Sequence, residues 1–257
     1  VMRVLPLLNE DINEEWISDK TRFACDGLAK RRLDAVYVKQ EGKLQQSDWD
    51  TGFDAIRDRL DGVDGSKIAA IAGDLACAES MTALKDLMTA LGSANIDCRQ
   101  DGAKIGTGAR GGYLFNTTIA GIENADFCLL VGTDPRHEAS ILNARLRKRY
   151  LQGGFTIYSV GAELDATFPV TELGAGSDVL ADIIAGRQMV KSTRGMIIVG
   201  QSALARADGA QVLAGLKAIA EKTDMVTSDW NGFNVLHNAA ARVAGLDLGL
   251  VPGEGGM

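Results

Sequence analysis

The stretch Phe127-Cys-Leu-Leu-Val-Gly-Thr-Asp-Pro-Arg136 carries the strongest fold signal in the sequence. Its apolar run is too short for a buried helix and stops at a glycine, which is typical of a strand buried on both faces. After the turn at 132–135, Leu142, Leu146 and Tyr150 recur at helical spacing, so a helix is predicted there. Strand, tight turn and helix together form half of a βαβ unit.

The same punctuation, an apolar run closed by glycine, occurs four times, at 68–73, 128–132, 156–161 and 196–200. Segments with apolar residues at helical spacing lie between or after these runs. Those apolar residues are Met81, Leu84, Leu87, Met88 and Leu91; Val179, Leu180, Ile183 and Ile184; Val212, Leu213, Leu216 and Ile219; and Val235, Leu236, Ala239 and Val243. The alternation predicts an α/β fold in which the four runs form a parallel sheet with helices on both faces.

Composition limits the classes of partner. A chain of 257 residues with 46% hydrophobic content is long enough to bury a core without disulfides or metals. The net charge of -7, and the lack of a basic face with interspersed aromatic residues, argue against nucleic acid. No run approaches the roughly 20 apolar residues of a membrane-spanning helix, and the first residues lack a signal-peptide pattern. We expect no direct membrane insertion.

Cysteines and histidines show no metal-site spacing. No two of the four cysteines form a Cys-x-x-Cys pair, so the pattern of common iron–sulfur and zinc sites is absent. Cys128 within a strand and Cys77 at a helix start are expected to be small buried hydrophobic residues. His137 and His237 lie far apart in the sequence. We therefore expect neither a metal site nor a catalytic residue in this chain.

The segment Gly106-Thr-Gly-Ala-Arg-Gly111 satisfies the Gly-x-Gly-x-x-Gly pattern of dinucleotide-binding loops. A working motif needs a strand immediately before it, a helix directly after it and an acidic residue at the end of the next strand. Charged residues interrupt the approach here, and Asp126 precedes the next strand. We interpret the segment as a glycine-rich loop, with dinucleotide binding as the alternative.

Four blocks of sequence carry a family resemblance across almost the whole chain. They are 9–28 followed by 32–33, 114–126 through 143–147, 199–209, and 235–237 through 246–253. In this order they resemble the large iron–sulfur subunit, the G subunit, of bacterial NADH-quinone oxidoreductase (respiratory complex I). The resemblance implies Rossmann-like parallel-sheet layers of the formate dehydrogenase and DMSO reductase type, the molybdopterin oxidoreductase fold.

The resemblance also implies a role. In the family this region follows an N-terminal part that carries 2Fe-2S and 4Fe-4S clusters, and it serves as a scaffold without molybdenum. We expect that cluster-bearing part to be missing here, no cofactor in this chain, and no activity of the isolated chain. The whole complex transfers electrons from NADH to quinone and translocates protons. The implied partners are other peripheral-arm subunits, on the cytoplasmic side of the bacterial inner membrane.

Five polar residues follow the predicted strands. Parallel α/β sheets bind ligands beyond the carboxyl ends of their strands, and the residues found there are Asp74, Thr133, Asp134, Gln201 and Ser202. They are candidates for a vestigial cofactor crevice, while helix caps and turns explain the same residue types. The alternative function is an oxidoreductase domain that binds molybdopterin or a nucleotide in this crevice.

The sequence also suggests a division of the chain. Residues 1–65 are predicted to form an N-terminal lobe with the family signature, and 66–257 an α/β domain that could divide into two sublobes near 165–195. The stretch 165–177 is expected to be a long loop. A first residue other than methionine suggests a piece of a longer protein.

Two charged clusters invite an interpretation. Acidic residues at 10–15 precede basic residues at 20–32, and these patches either dock neighbouring subunits or form a solvated surface. The basic group consists of Arg145, Arg147, Lys148 and Arg149. It is explained by the favourable interaction of cations with a helix C-terminus.

Overall fold

The computed structural model describes residues 1–187 and 192–253. The strands in these ranges are β1 (Val36–Gln40), β2 (Lys43–Ser47), β3 (Ala70–Ile71), β4 (Ile96–Asp97), β5 (Phe127–Val131), β6 (Thr156–Val160), β7 (Thr171–Glu172), β8 (Gly195–Val199) and β9 (Phe233–Val235). The helices are α1 (Asp19–Phe23), α2 (Trp49–Leu60), α3 (Ala78–Ala90), α4 (Pro135–Glu138), α5 (Ser140–Leu151), α6 (Ser177–Ile184), α7 (Gln201–Leu204), α8 (Gly209–Lys222) and α9 (Arg242–Asp247). Within the predicted sublobe division at 165–195, residues 188–191 lie outside the described part.

A five-stranded parallel sheet organises the chain, in the order β7-β6-β5-β8-β9. Every residue of β5 and β8 is buried, as expected for strands covered on both faces. The predicted loop at 165–177 contains β7, which adds a short edge strand to β6. The α/β fold class is confirmed.

Helices cover both faces of this sheet, as predicted. Alternate residues of β5 point to opposite sides. Cys128 and Leu130 join a hydrophobic cluster that includes Leu142 of α5. Leu129 joins a second cluster that includes Leu216 of α8. The sheet therefore lies between two apolar cores.

Two strand and helix predictions are wrong. The run at 68–73 does not enter the main sheet, because β3 pairs only with β4 in a separate two-stranded parallel sheet. Ile71 is 66% exposed, so this run lacks the two-sided burial of a central strand. The place beside β8 belongs instead to β9, whose last residue, Val235, is the first residue of the segment 235–243 predicted as a helix. Val235 ends this strand and α9 begins only at Arg242, since a short apolar run has no diagnostic period.

The edge of β9 is covered by the segment that precedes β5. Val235 N donates to Leu114 O at 2.9 Å. The fully buried Asn234 accepts hydrogen bonds from Thr117 N and Oγ1 at 2.9 and 3.0 Å, and its Nδ2 donates to Ile197 O at 3.1 Å. Part of the family block 114–126 thus closes an edge that would otherwise offer unpaired backbone groups.

The N-terminal region is built differently. Strands β1 and β2 form an antiparallel hairpin, and α2 packs on it where Gly52 permits close approach to Val36. Many large apolar side chains here remain exposed, among them Trp49 and Phe53. Among residues 1–187 and 192–253, no helix is both long enough and apolar enough to cross a membrane.

Candidate functional site at the strand ends

Three glycines pack together at the carboxyl ends of β5, β6 and β8. A Cβ atom at Gly200 would lie 2.4 Å from Gly132 O, and one at Gly132 would lie 2.6 Å from the Cβ of Ala203. Gly161 places its Cβ position 3.5 Å from Gly132 N. Gly132 also has φ +55°, which favours glycine. These glycines bring the strand ends into direct contact.

The residues after β5 serve as helix caps. Thr133 Oγ1 donates to Glu138 Oε2 at 2.9 Å. Asp134 Oδ1 accepts from Arg136 N at 3.1 Å, and its Oδ2 lies 2.8 Å from His137 Nδ1. Asp134 is the N-cap of α4, with Pro135 in the first turn. Both candidate residues are therefore engaged by their own helix.

The residues after β8 are also engaged internally. Ser202 Oγ donates to Gly132 O, which joins α7 to the end of β5. Gln201 is 5% exposed, and its Nε2 donates to Leu236 O at 2.6 Å. Gln201 Oε1 is buried and has no hydrogen-bond partner in the part of the chain that the structure describes.

Asp74 lies apart from the other four candidates, beyond the β3–β4 sheet. Its Oδ1 is 3.9 Å from Nη2 of Arg242, which is 2% exposed. Arg242 Nη2 also lies 3.1 Å from Asp101 Oδ1, and its Nε donates to Cys98 O at 3.1 Å. The group is an internal ion-pair cluster joining α9 to the loop after β4. The sequence pattern did not indicate Arg242, because its partners are distant in the chain.

His237 lies two residues after the end of β9 and is partly buried. Its Nε2 is 2.6 Å from Tyr113 O, and a carbonyl only accepts, so Nε2 carries the proton. In the neutral ring Nδ1 is then an acceptor, and no described residue donates to it. Burial lowers the pKa of His237. The residue is a neutral donor that holds the segment before β5.

The strand-end edge does not fit a molybdopterin dinucleotide. The cavity there has a volume of about 230 Å³, below the roughly 300 to 1,000 Å³ of ordinary small-molecule sites. The arginine that lines it, Arg206, donates to both carboxylate oxygens of Asp208 at 2.7 and 2.9 Å. No group of three or more His, Cys, Asp or Glu residues suited to a metal occurs within 1–187 and 192–253.

The predicted glycine-rich loop is a loop. Residues 106–109 contain no helix or strand, and a short 3-10 turn at Arg110–Gly112 follows them. A Cβ atom at Gly106 or Gly108 would meet no described heavy atom within 4 Å. These glycines are not required by close packing.

One cysteine prediction is half right. Cys128 is fully buried, and burial raises the pKa of its thiol far above the ordinary value. Cys77 is exposed rather than buried, and its Sγ lies 3.1 Å from Ser80 Oγ. It is the N-cap residue of α3, and a cap position faces solvent.

The interpretation of the basic group as a helix C-terminus is wrong for Arg145. This residue is 5% exposed in the middle of α5, with Nη1 bonded to Glu123 and 3.2 Å from Glu14 Oε1. Lys148 contacts the same two carboxylates. Arg145, followed by Lys148, lowers the pKa of Glu123. Glu14 is therefore partly buried and ion-paired to Arg145 and Lys148 within the chain.

The parallel sheet, with strand ends closed by the packing of Gly132 against Gly200, defines a Rossmann-like α/β protein. Its described residues form no recognisable catalytic constellation. The chain belongs to the molybdopterin oxidoreductase family, whose model matches residues 32–257. Residues 1–26 match a second model, "NADH-ubiquinone oxidoreductase NDSU1/NuoG-like, 4Fe-4S domain". The chain thus includes a part of that domain's sequence, which the residue patterns alone did not reveal.

The chain is similar to part of the G subunits of NADH-quinone oxidoreductases. It is 42% identical over 254 residues to the G subunit of NADH-quinone oxidoreductase from Rickettsia prowazekii (strain Madrid E), covering 97% of this chain and 38% of the relative. Identity and coverage are the same for the Rickettsia conorii protein of that name. The predicted resemblance is confirmed, and the chain spans well under half the length of these relatives.

A solved structure shares the fold. It is a chain of the formyltransferase/hydrolase complex from Methylorubrum extorquens in complex with methylofuran, with a TM-score of 0.54 and 17% identity. The similarity covers 81% of this chain and 63% of that one. At this identity the likeness concerns the fold alone.

Proposed function

We propose that this chain is a scaffold portion of the large iron–sulfur subunit of an NADH-quinone oxidoreductase. It supports electron transfer from NADH to quinone without holding a redox centre, in a complex that also translocates protons. The similarity to the G subunit over 97% of the chain supports the assignment to this subunit. The observation that carries the scaffold role is the closed strand-end edge, where Gly132 and Gly200 meet and Ser202 bonds across them.

The assignment to this subunit also implies its cofactors, partners and location. Its 2Fe-2S and 4Fe-4S clusters are bound by residues outside this chain, and its partners are other peripheral-arm subunits. The complex lies on the cytoplasmic side of the bacterial inner membrane. Residues 1–65 act as an N-terminal lobe and 66–257 as the α/β domain. The hairpin β1–β2 with α2, which packs on itself, supports this division.

Metal and cofactor analysis of the purified chain tests the scaffold role. Elemental mass spectrometry for molybdenum, tungsten and iron is combined with detection of released pterin and nucleotide. We expect none at stoichiometric level, with a molybdenum-containing formate dehydrogenase carried through the same procedure as the positive control. Stoichiometric molybdenum with pterin would overturn the scaffold role and would favour the alternative oxidoreductase domain.

A further inference from the structure

A wide groove separates the N-terminal segment from the start of α5. It has a volume of about 1030 Å³. One wall is formed by residues 5–21, and the other by α4, the first turn of α5, Ile119 and Leu236. This groove is called the N-terminal groove below. It adjoins the strand ends through Glu138, which lines the groove and accepts a hydrogen bond from Thr133 Oγ1.

The wall made by the N-terminal segment is fixed in place. Arg145 Nη2 donates to Glu10 O at 2.7 Å, in addition to its contacts with the carboxylate of Glu14. Asn13 Nδ2 lies within hydrogen-bond distance of the carbonyls of Leu7 and Trp16, at 2.9 and 3.2 Å. The segment is therefore an ordered surface rather than a loose tail.

This ordered wall nevertheless leaves its large apolar side chains in solvent. They are Leu5 (59% exposed), Leu7 (87%), Leu8 (68%), Ile12 (52%) and Trp16 (56%). All five line the N-terminal groove. Burying them would be favourable by the hydrophobic effect, and contiguous apolar patches of this kind mark interaction sites.

The comparison with the 4Fe-4S domain model indicates what covers the patch. Residues 1–26 match that model, yet they contain a single cysteine, Cys25. A 4Fe-4S cluster is held by four ligands, and the Cys25 thiol is buried, 3.9 Å from Phe23 O. The residues that bind the cluster therefore lie elsewhere in the 4Fe-4S domain. The segment that forms this wall matches part of the same domain.

We propose that the N-terminal groove is the docking face for the cluster-bearing part of the 4Fe-4S domain of the same polypeptide. This inference rests on the proposed function, since it takes the chain to be part of the longer subunit. The five exposed side chains form the apolar centre of the contact. The Arg145 anchor holds that centre against the α/β domain, so the cluster domain and the scaffold move as one body.

Oxidative footprinting of the full-length subunit tests the docking. Trp16 and Trp49 are similarly exposed, at 56% and 68%, and only Trp16 lines the groove. With clusters loaded, Trp16 should oxidise about fivefold more slowly than after cluster removal by a chelator, as an interface-core residue falls to roughly a tenth exposed. Trp49 should show no dependence on the clusters.

A matched pair of variants identifies the surface. Leu8→Asp in the full-length subunit should return Trp16 to the oxidation rate of the chelated protein, because a carboxylate would be buried in the contact. Leu44→Asp, at an equally exposed position of 71% in β2, should leave Trp16 protected. Both changes lie on the surface of the chain described here, so neither should unfold it.

Three results would overturn the docking. They are full reactivity of Trp16 in the cluster-loaded subunit, protection that persists after chelation, and a Leu8→Asp variant that behaves like Leu44→Asp. Each is separable from failure of the scaffold role, since molybdenum or pterin at the strand ends would change the cofactor analysis and leave the Trp16 rates unaffected.

Discussion

At the scale of single residues, buried charge decides how the N-terminal segment joins the domain. Removing one member of a buried ion pair leaves its partner uncompensated. We expect Arg145→Met to lower the free energy of unfolding by about 3 kcal/mol, the low end of the range for breaking a buried ion pair. The loss is at the low end because Glu14 and Glu123 would still be paired with Lys148 and partly solvated. Urea denaturation of the purified chain measures this change.

The control for that prediction lies on the same helix. Arg147 is exposed and bonds only a backbone carbonyl, that of Thr167, among the described residues. Arg147→Met should cost no more than about 1 kcal/mol. Similar losses for the two variants would show that Arg145 acts through general helix charge rather than through its carboxylate partners.

His237 makes stability depend on pH in a defined direction. Burial lowers its pKa from the ordinary 6.5, so between the two values the unfolded chain binds a proton that the folded chain does not. The free energy of unfolding should therefore fall as pH drops below about 6.5 and should gain nothing from this group above it.

His237→Gln isolates this effect. Glutamine keeps a donor for Tyr113 O and does not titrate, so the variant should lose part of the pH dependence below about 6.5. Urea titrations at several pH values measure the slope for both proteins. Equal slopes would contradict a neutral, partly buried histidine.

The sequence predicts the roles of some of these residues and not of others, for a physical reason. Asp134 before a proline predicts a cap, because capping is local. Arg145 paired with Glu14 could not be predicted, since more than a hundred positions separate the partners and their meeting depends on the tertiary fold. The same applies to Arg242 and Asp101.

At the scale of elements, the glycines that follow β5 and β8, Gly132 and Gly200, determine how closely the ends of these two strands approach each other. A methyl group at Gly200 would press on the backbone oxygen of Gly132 at 2.4 Å and on Thr133 at 2.5 Å. Backbone atoms give way poorly, so Gly200→Ala should destabilise the chain by about 1 to 3 kcal/mol through overpacking. Thermal and urea unfolding check the loss.

Gly108→Ala is the matched substitution. The added methyl meets open space among the described residues, and the expected change in the free energy of unfolding is within about 0.5 kcal/mol. A loss as large as that of Gly200→Ala would contradict the role of close strand-end packing, because the two glycines differ in what surrounds them.

The pattern of glycine-closed runs predicted β5, β6 and β8 well, because burial on both faces leaves a continuous apolar stretch. It failed for β3 and β9. Three buried residues in β9 give no period, and the half-exposed β3 carries the same residue types as a central strand. Sheet membership depends on partners that lie elsewhere in the sequence.

At the scale of the whole molecule, the sheet and the hairpin differ in how they are supported. Strands β5 and β8 are buried in every residue, whereas β1 and β2 form a separate two-stranded pair that stays largely exposed although α2 packs on it. A two-stranded hairpin alone is marginally stable in water. Hydrogen exchange followed by mass spectrometry should show the amides of β1–β2 exchanging well before those of β5 and β8.

Hydrogen exchange also tests docking of the cluster domain. In the full-length subunit, protection should increase in the segment 5–16, most of whose residues line the N-terminal groove. No such increase is required of β1–β2 by the docking proposal. Unchanged exchange along 5–16 would argue against docking independently of the tryptophan rates.

The strand order carries a consequence for how the protein is made. Phe127 of β5 pairs with Gly195 of β8, and β8 in turn pairs with β9 through Ile197 and Phe233. During synthesis on the ribosome, one edge of β5 stays unpaired until β8 has emerged, and one edge of β8 until β9 has. Non-local parallel pairing of this kind is slow and exposed to aggregation. The nascent chain therefore exposes unpaired strand edges until β9 is available.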